Sequence, residues 1–157
     1  MILENCGVGD DELARFFESL QLQTTFRSFQ YKQNHFLQNS LQALKPILDK
    51  PPPSNLHELV MVSVKSQLNV ITELCSYVKN MAHHLRSLRL VSMDLSANCI
   101  RIISKHLHHS PWMTTLDLTN NKKVAPPGWL SLLEVLNKNR TLSWLNLSHN
   151  MLVEVKD

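Results

Sequence analysis

Glycine is almost missing from this chain. Three occur in 157 residues, so the glycine-rich loops that cradle phosphates have no place here. No GxSxG is present either, which removes the nucleophile turn of many hydrolases. Cysteine is equally scarce: Cys6, Cys75 and Cys99 stand far apart with no CxxC pair, against both a zinc site and a disulfide-stapled secreted scaffold. That usage fits a reducing compartment. Neither sign of charge dominates, with 16 Lys and Arg against 13 Asp and Glu for a formal net charge of +3. A phosphate backbone finds no strong basic field in such a balance, so nucleic acid is not the expected partner. Nowhere do about 18 apolar residues run together, as a membrane span requires. The opening MILENCGVGDDELARFF is too acidic, and its apolar run too short, for a signal peptide. These absences lead to the expectation of a cytoplasmic chain with no membrane partner.

What the sequence does contain is a period. A strand signal, LxxLxL followed by two residues and an Asn or Cys, occurs at Phe26-Phe29-Tyr31-Asn34, Leu85-Leu88-Leu90, Met113-Leu116-Leu118-Asn121 and Leu142-Leu145-Leu147-Asn150. A weaker copy stands at Leu56-Leu59-Met61. First positions at 26, 56, 85, 113 and 142 give steps of 30, 29, 28 and 29 residues. One step of 28 back from Phe26, Met1, Leu3 and Cys6 take the strand slots of a truncated copy. A shifted frame, Leu90-Met93-Leu95-Asn98, is rejected because it would make neighbouring repeats 34 and 23 residues long.

Each strand is followed by apolar residues at helical spacing: Leu13, Phe17, Leu20; Leu41, Leu44, Leu48; Ile71, Leu74, Val78; Ile100, Ile103, Leu107; Trp129, Leu132, Leu133, Leu136. Intervals of three and four put them on one helix face. A unit of this length cannot close a core alone, so neighbours must stack, strands inside the curve and helices outside. The expected fold is α/β: a repeat solenoid, or horseshoe segment, of about five to six repeats with an inner parallel sheet. It forms one domain over residues 1–157, with repeats at 1–25 (partial), 26–55, 56–84, 85–112, 113–141 and 142–157 (partial). The Asn slot has a physical role, because an amide side chain at the bend can pair backbone groups of adjacent turns.

Residues 7–20, GVGDDELARFFESL, and residues 85–107, LRSLRLVSMDLSANCIRIISKHL, resemble units of the ribonuclease-inhibitor-like, intracellular leucine-rich repeats. The resemblance spans nearly the whole chain and is specific for fold. It implies a family of binding proteins, enzyme regulators such as GTPase-activating proteins, and structural subunits of cytoskeletal or ciliary assemblies. Departures stand out. Residues 45–55, KPILDKPPPSN, should end a helix near Leu48. Val64 and Met93 occupy slots where Asn or Cys is expected, and residues 125–129, APPGW, should stiffen the start of a helix. Both terminal units lack a polar cap, which suggests part of a longer chain or of a larger assembly.

The candidate chemistry is thin. His83, His84 and residues 106–109, HLHH, fall at helix ends, where they meet free carbonyls, and no carboxylate or Cys stands at ligand spacing. Cys6 takes a ladder slot, while Cys75 and Cys99 lie on or beside inward-facing helices, so all three read as structural. The sequons at Asn139 and Asn146 read as repeat residues. No catalytic residue, cofactor or metal is expected. What remains is the strand face turned away from the helices. Its candidate partner-binding residues are Arg27, Gln30, Lys32, His57, Glu58, Arg86, Arg89, Thr115, Asp117, Trp144 and Asn146. Trp144 and the three arginines carry the most weight, since large planar side chains dominate interface energies. The expected function is non-catalytic binding of a protein partner.

Overall fold

A computed structural model describes residues 1–21, 27–49, 56–78 and 84–152. Among the described residues six strands alternate with five helices: β1 Ile2–Glu4, α1 Asp10–Leu20, β2 Ser28–Lys32, α2 Gln38–Leu48, β3 Glu58–Val62, α3 Leu68–Val78, β4 Ser87–Val91, α4 Ala97–His109, β5 Thr115–Asp117, α5 Pro126–Leu136 and β6 Trp144–Asn146. All six strands are parallel and lie side by side in chain order, with a described helix between each strand and the next.

The strand pairing reproduces the sequence period. Leu3 pairs with Tyr31, Phe29 with Leu59, Leu59 with Leu88, Leu88 with Leu116 and Leu116 with Leu145. β4 occupies the frame set by Leu85, and Met93 and Leu95 lie buried beyond its end rather than within it. A left-handed residue recurs after each strand, at Asn5, Gln33, Ser63, Ser92, Asn120 and His149. Such backbone is uncommon outside glycine, and here one bend is repeated at every turn of the chain.

One buried cluster joins the inward strand residues to the apolar helix faces. Phe17 of α1 meets Phe29 of β2 edge-on with centroids 5.1 Å apart, and Phe29 stacks on Tyr31. Each fully buried side chain of this size contributes roughly 1.5–3 kcal/mol. The expected helix faces are buried, Leu20 and Leu136 only partly, with one correction at α5: Trp129 and Leu132 are buried but Leu133 is 51% exposed. Adjacent residues on a helix point about 100° apart, so Leu132 and Leu133 cannot share the inward stripe.

The Asn slots pair the bends. Asn121 accepts from the Met93 N–H at 3.0 Å and donates to the carbonyls of Leu90 and Leu118 at 2.8 and 2.9 Å. Asn150 donates to Leu118 and Leu147, and its Oδ1 accepts from the Asn121 N–H. Asn34 accepts from Cys6 N–H and donates to Leu3 and Lys32. Where Val64 replaces Asn, the backbone substitutes: Lys65 N–H donates to the Asn34 carbonyl and Phe36 N–H to the Lys65 carbonyl. Met93 is reached from the neighbouring Asn121 instead. Cys6, placed in the ladder slot by the period, is exposed; its backbone N–H, not its thiol, joins the ladder.

Helix α2 ends at Leu48 as expected, while Phe26, the three prolines at 51–53 and His83 lie outside the described residues. α5 opens with Pro126 and Pro127 at its first two positions, where a missing N–H costs nothing. Gly128 follows because a Cβ there would come within 2.9 Å of the Ala97 Cα, so α5 and α4 approach closely at this point. Asp10 reaches across to the start of α2, whose own N-cap, Leu37, has no side-chain acceptor. Its carboxylate accepts from the N–H groups of Leu37, Asn39 and Ser40 and from the Ser40 hydroxyl. Burial alone would raise the Asp10 pKa, but the Ser40 hydroxyl and these N–H groups together hold it below the usual carboxylate value.

Candidate functional site

In a strand, residues two apart share a face. The side turned away from the helices therefore carries three registered rows. The first runs Ser28, Glu58, Ser87, Thr115, Trp144; the second Ile2, Gln30, Val60, Arg89, Asp117, Asn146; the third Glu4, Lys32, Val62, Val91. Just ahead of the strands, Arg27, His57 and Arg86 form a further row, tied by the His57 N–H to the Arg27 carbonyl and the Arg86 N–H to the His57 carbonyl, both at 2.8 Å. All eleven residues named from the sequence belong to these rows.

They are not equivalent. Arg89 pairs in register with Asp117, and an ion pair would be the simple expectation. The Asp117 carboxylate instead turns along its own strand to accept from the Thr119 N–H at 3.0 Å and the Thr119 hydroxyl at 2.6 Å. Asp117 is only 8% exposed, which corrects its place among the outward candidates. Asn146 makes the same local bond, accepting from the Ser148 N–H. With Asp117 folded away and Thr115 small, Arg89 reaches across β5 and lies over the Trp144 ring, 5.3 Å from its centroid. Such a contact contributes about 0.5–1 kcal/mol at an exposed site and holds both groups in place. Trp144 remains 42% exposed.

The other side chains divide by charge. Glu58 accepts from the Ser28 hydroxyl at 2.6 Å, and Lys32 lies 3.6 Å from Glu4. Gln30 stands between Ile2 and Val60 with its flank half-buried. His57 is held below the ordinary imidazole pKa by burial first, then by Arg86 and Arg27 on either side. Val60, Val62 and Val91 add an aliphatic strip that the sequence analysis did not assemble, because only the register brings Val62 opposite Val91. Ser87 Oγ and Arg89 Nε are buried on this same face without a hydrogen-bond partner.

Elsewhere the chemistry stays structural. Cys75 and Cys99 are fully buried on α3 and α4. A hydrogen bond from Cys75, joined by Ser96 and Thr72, outweighs burial and holds the Cys99 thiol down to about 5, while that bond and burial push Cys75 up. His106, His108 and His109 sit in the last turn of α4. Among the described residues no group of three or more His, Cys, Asp or Glu is placed to hold a metal ion, and no helix is long and apolar enough to cross a membrane. Asn139 caps its own bend, accepting from the N–H groups of Thr141 and Leu142. Compared with protein-family models and with curated protein sequences, the chain matches none.

Proposed function

We propose that the chain is a leucine-rich-repeat solenoid of the ribonuclease-inhibitor-like kind, without catalytic activity of its own, which binds a protein partner through the sheet face turned away from its helices. The parallel strands in chain order, one helix per step, and the bends paired by Asn34, Asn121 and Asn150 support the architecture. Three free thiols suit work in the reducing cytoplasm. One observation carries the function. Arg89 and Trp144 are stacked on each other across three strands, on a face that no helix covers among the described residues, with the indole still 42% exposed. A pre-ordered Arg and Trp pair loses little side-chain entropy on association, which is the property of an interface anchor.

The test is affinity capture from cytosolic extract with three forms of the chain, read by mass spectrometry: wild type, Trp144→Ala with Arg89→Glu, and Arg101→Glu on the exposed side of α4. A partner retained by wild type and Arg101→Glu but lost with the double variant is the expected result. Partners captured equally by all three forms would remove the face as the binding site.

A second reading, a structural subunit of a larger assembly, is favoured by the apolar side chains around β6 and α5. Leu130, Leu133, Leu145 and Met151 are all exposed, by 38–65%. Aggregation relieved by polar substitution of Leu145 and Met151, with no partner specific to the sheet face, would support that reading over the first.

A further inference from the structure

The two edges of the sheet differ. Among the described residues β6 pairs with β5 alone. Leu116, with Leu145 registered against it, is fully buried, whereas Leu145 is 38% exposed. Leu130, Leu133, Met151 and Leu152 are exposed beside it, by 41–65%. On α5, Gly128 marks the side that lies against α4. At about 100° per residue, Leu133 stands about 140° round from Gly128 in one sense and Leu130 about 160° in the other. Both therefore turn away from α4, and the residues that share their stripe, Pro126 and Asn137, carry no charge.

The backbone of this edge has a definite polarity. The Trp144 N–H donates to the Thr114 carbonyl and the Asn146 carbonyl accepts from the Leu118 N–H, so both residues bond toward β5. Alternate residues of a parallel strand bond to opposite sides, and Leu145 therefore sends its N–H and C=O to the outer edge. An edge of this kind, with apolar side chains around it, is a template for another strand. The β1 edge is built differently. Asp10 and Asp11 bond to α2, which turns Glu12, Phe16 and Ser19 of α1 away from it. Glu12 and Ser19 are exposed and Phe16 is half-buried. Stacking that edge on the β6 edge would set the Glu12 carboxylate among leucines with no cation to receive it, an arrangement that costs several kcal/mol.

We propose that the β6 and α5 edge is covered by the same edge of a second copy of the chain, the two β6 strands pairing antiparallel about a twofold axis at Leu145 and the two α5 helices meeting through Leu130 and Leu133. In an antiparallel pair, opposed residues exchange both backbone bonds, so one Leu145 satisfies the other. A twofold contact needs only a patch that complements itself, and it closes at two copies. An uncharged apolar patch meets that condition. Its five exposed side chains amount to roughly 500 Å² per copy, the larger part of the about 800 Å² per partner that a stable interface buries. The axis stands across the sheet, so both helix layers lie on one side and both Arg89 and Trp144 pairs on the other. This inference goes beyond the binding function proposed above and holds whether or not the sheet face has a partner.

The experiment is sedimentation equilibrium of the whole chain across the micromolar range. Wild type is expected to fit a monomer and dimer equilibrium. Leu133→Asp should weaken the dimer at least about 10-fold with an unchanged circular dichroism spectrum, and Glu12→Ala on α1 should leave it as it is. A second measurement fixes the geometry. In a Cys6→Ser background, Leu145→Cys treated with glutathione disulfide should join two copies covalently, because opposed Cα atoms of a hydrogen-bonded antiparallel pair lie about 5.5 Å apart, within disulfide reach. Ile2→Cys, 59% exposed on β1, should give no such product.

A monomer at every concentration overturns the proposal and leaves the edge to a different protein. Species that keep growing with concentration overturn it in favour of head-to-tail stacking, as does joining of Leu145→Cys chains to Ile2→Cys chains in a mixture. A dimer that ignores Leu133→Asp, or that forms the covalent product through Ile2→Cys alone, places the contact elsewhere and overturns it too. Cellular capture that depends on Trp144 and Arg89 is read separately, so the binding function stands or falls on its own result.

Discussion

Replacing Asp10 with Ala should unhinge the start of α2 from α1. The carboxylate supplies the cap that Leu37 cannot, with bonds of 3.0 Å from Leu37 and Ser40 N–H, 2.9 Å from Asn39 N–H and 2.5 Å from the Ser40 hydroxyl. Loss of a helix cap costs about 1–2 kcal/mol, and loss of the charge-assisted bond from buried Ser40 adds about 1 kcal/mol. Asp10→Ala is therefore expected to destabilise the chain by about 2–3 kcal/mol in urea unfolding at pH 7, followed by tryptophan fluorescence. Asp10→Asn keeps an acceptor oxygen and loses the charge, and should cost about 1 kcal/mol. The pH dependence has a definite sign. Because the folded carboxyl titrates below its unfolded value, its contribution is fully present above about pH 4 and is lost as the pH falls through the folded pKa. The gap between wild type and Asp10→Asn should close in acid. An Asp10→Ala chain within about 0.5 kcal/mol of wild type, or an Asp10→Asn gap that does not narrow as the pH falls below about 4, would refute the capping argument.

Other perturbations follow from the same structure. Asn121→Ala removes the side-chain partner of the Met93 N–H and of the Leu90 carbonyl in the interior, while Asn150 still donates to the Leu118 carbonyl, and should cost about 2–3 kcal/mol in chemical denaturation. Gly128→Ala, which elsewhere on a helix would stabilise, forces α5 away from Ala97 and should lower stability by about 2 kcal/mol, visible as a drop in Tm. Leu132→Ala should cost about 3 kcal/mol, and Leu133→Ala less than about 0.5 kcal/mol, a contrast that unfolding curves of the two variants resolve directly. Under native conditions a thiol reagent should modify Cys6 at once and leave Cys75 and Cys99 until the chain unfolds, because accessibility and not the lowered Cys99 pKa controls the reaction.

The strand and helix order was legible because the apolar spacing carries it. Leu88 and Leu90 mark one side of a strand, Ile100, Ile103 and Leu107 one side of a helix, and the step between copies sets the register in which Leu88 meets Leu116. Arg27, His57 and Arg86 precede the strands; for the candidates within the strands, the face followed from alternation alone. Their individual states did not. Asp117 falls on the outer face by parity, yet a local bond to Thr119 buries it, and no periodicity reports a bond between residues two apart. The Arg89 and Trp144 contact depends on that turn and on the small Thr115 between them, so it appears only in the folded chain. Asp10 reads in sequence as the first residue of its own helix. Its service to the next helix became visible once α1 and α2 were neighbours, though a step of 28 residues from Asp10 does land on Gln38, where α2 begins. Leu133 failed for a simpler reason, since two adjacent leucines offered the same stripe and only one could take it.

The claim that the sheet face is where a partner binds is tested most directly by site-specific photo-crosslinking. A photoreactive amino acid is placed singly at Thr114 and Ser143, exposed beside the strands, and at Arg101 and Glu134, exposed on α4 and α5. Adducts with the captured partner from positions 114 and 143, and none from 101 and 134, are the predicted result. Adducts from the helix positions alone would contradict it and move the binding surface to the other side of the sheet.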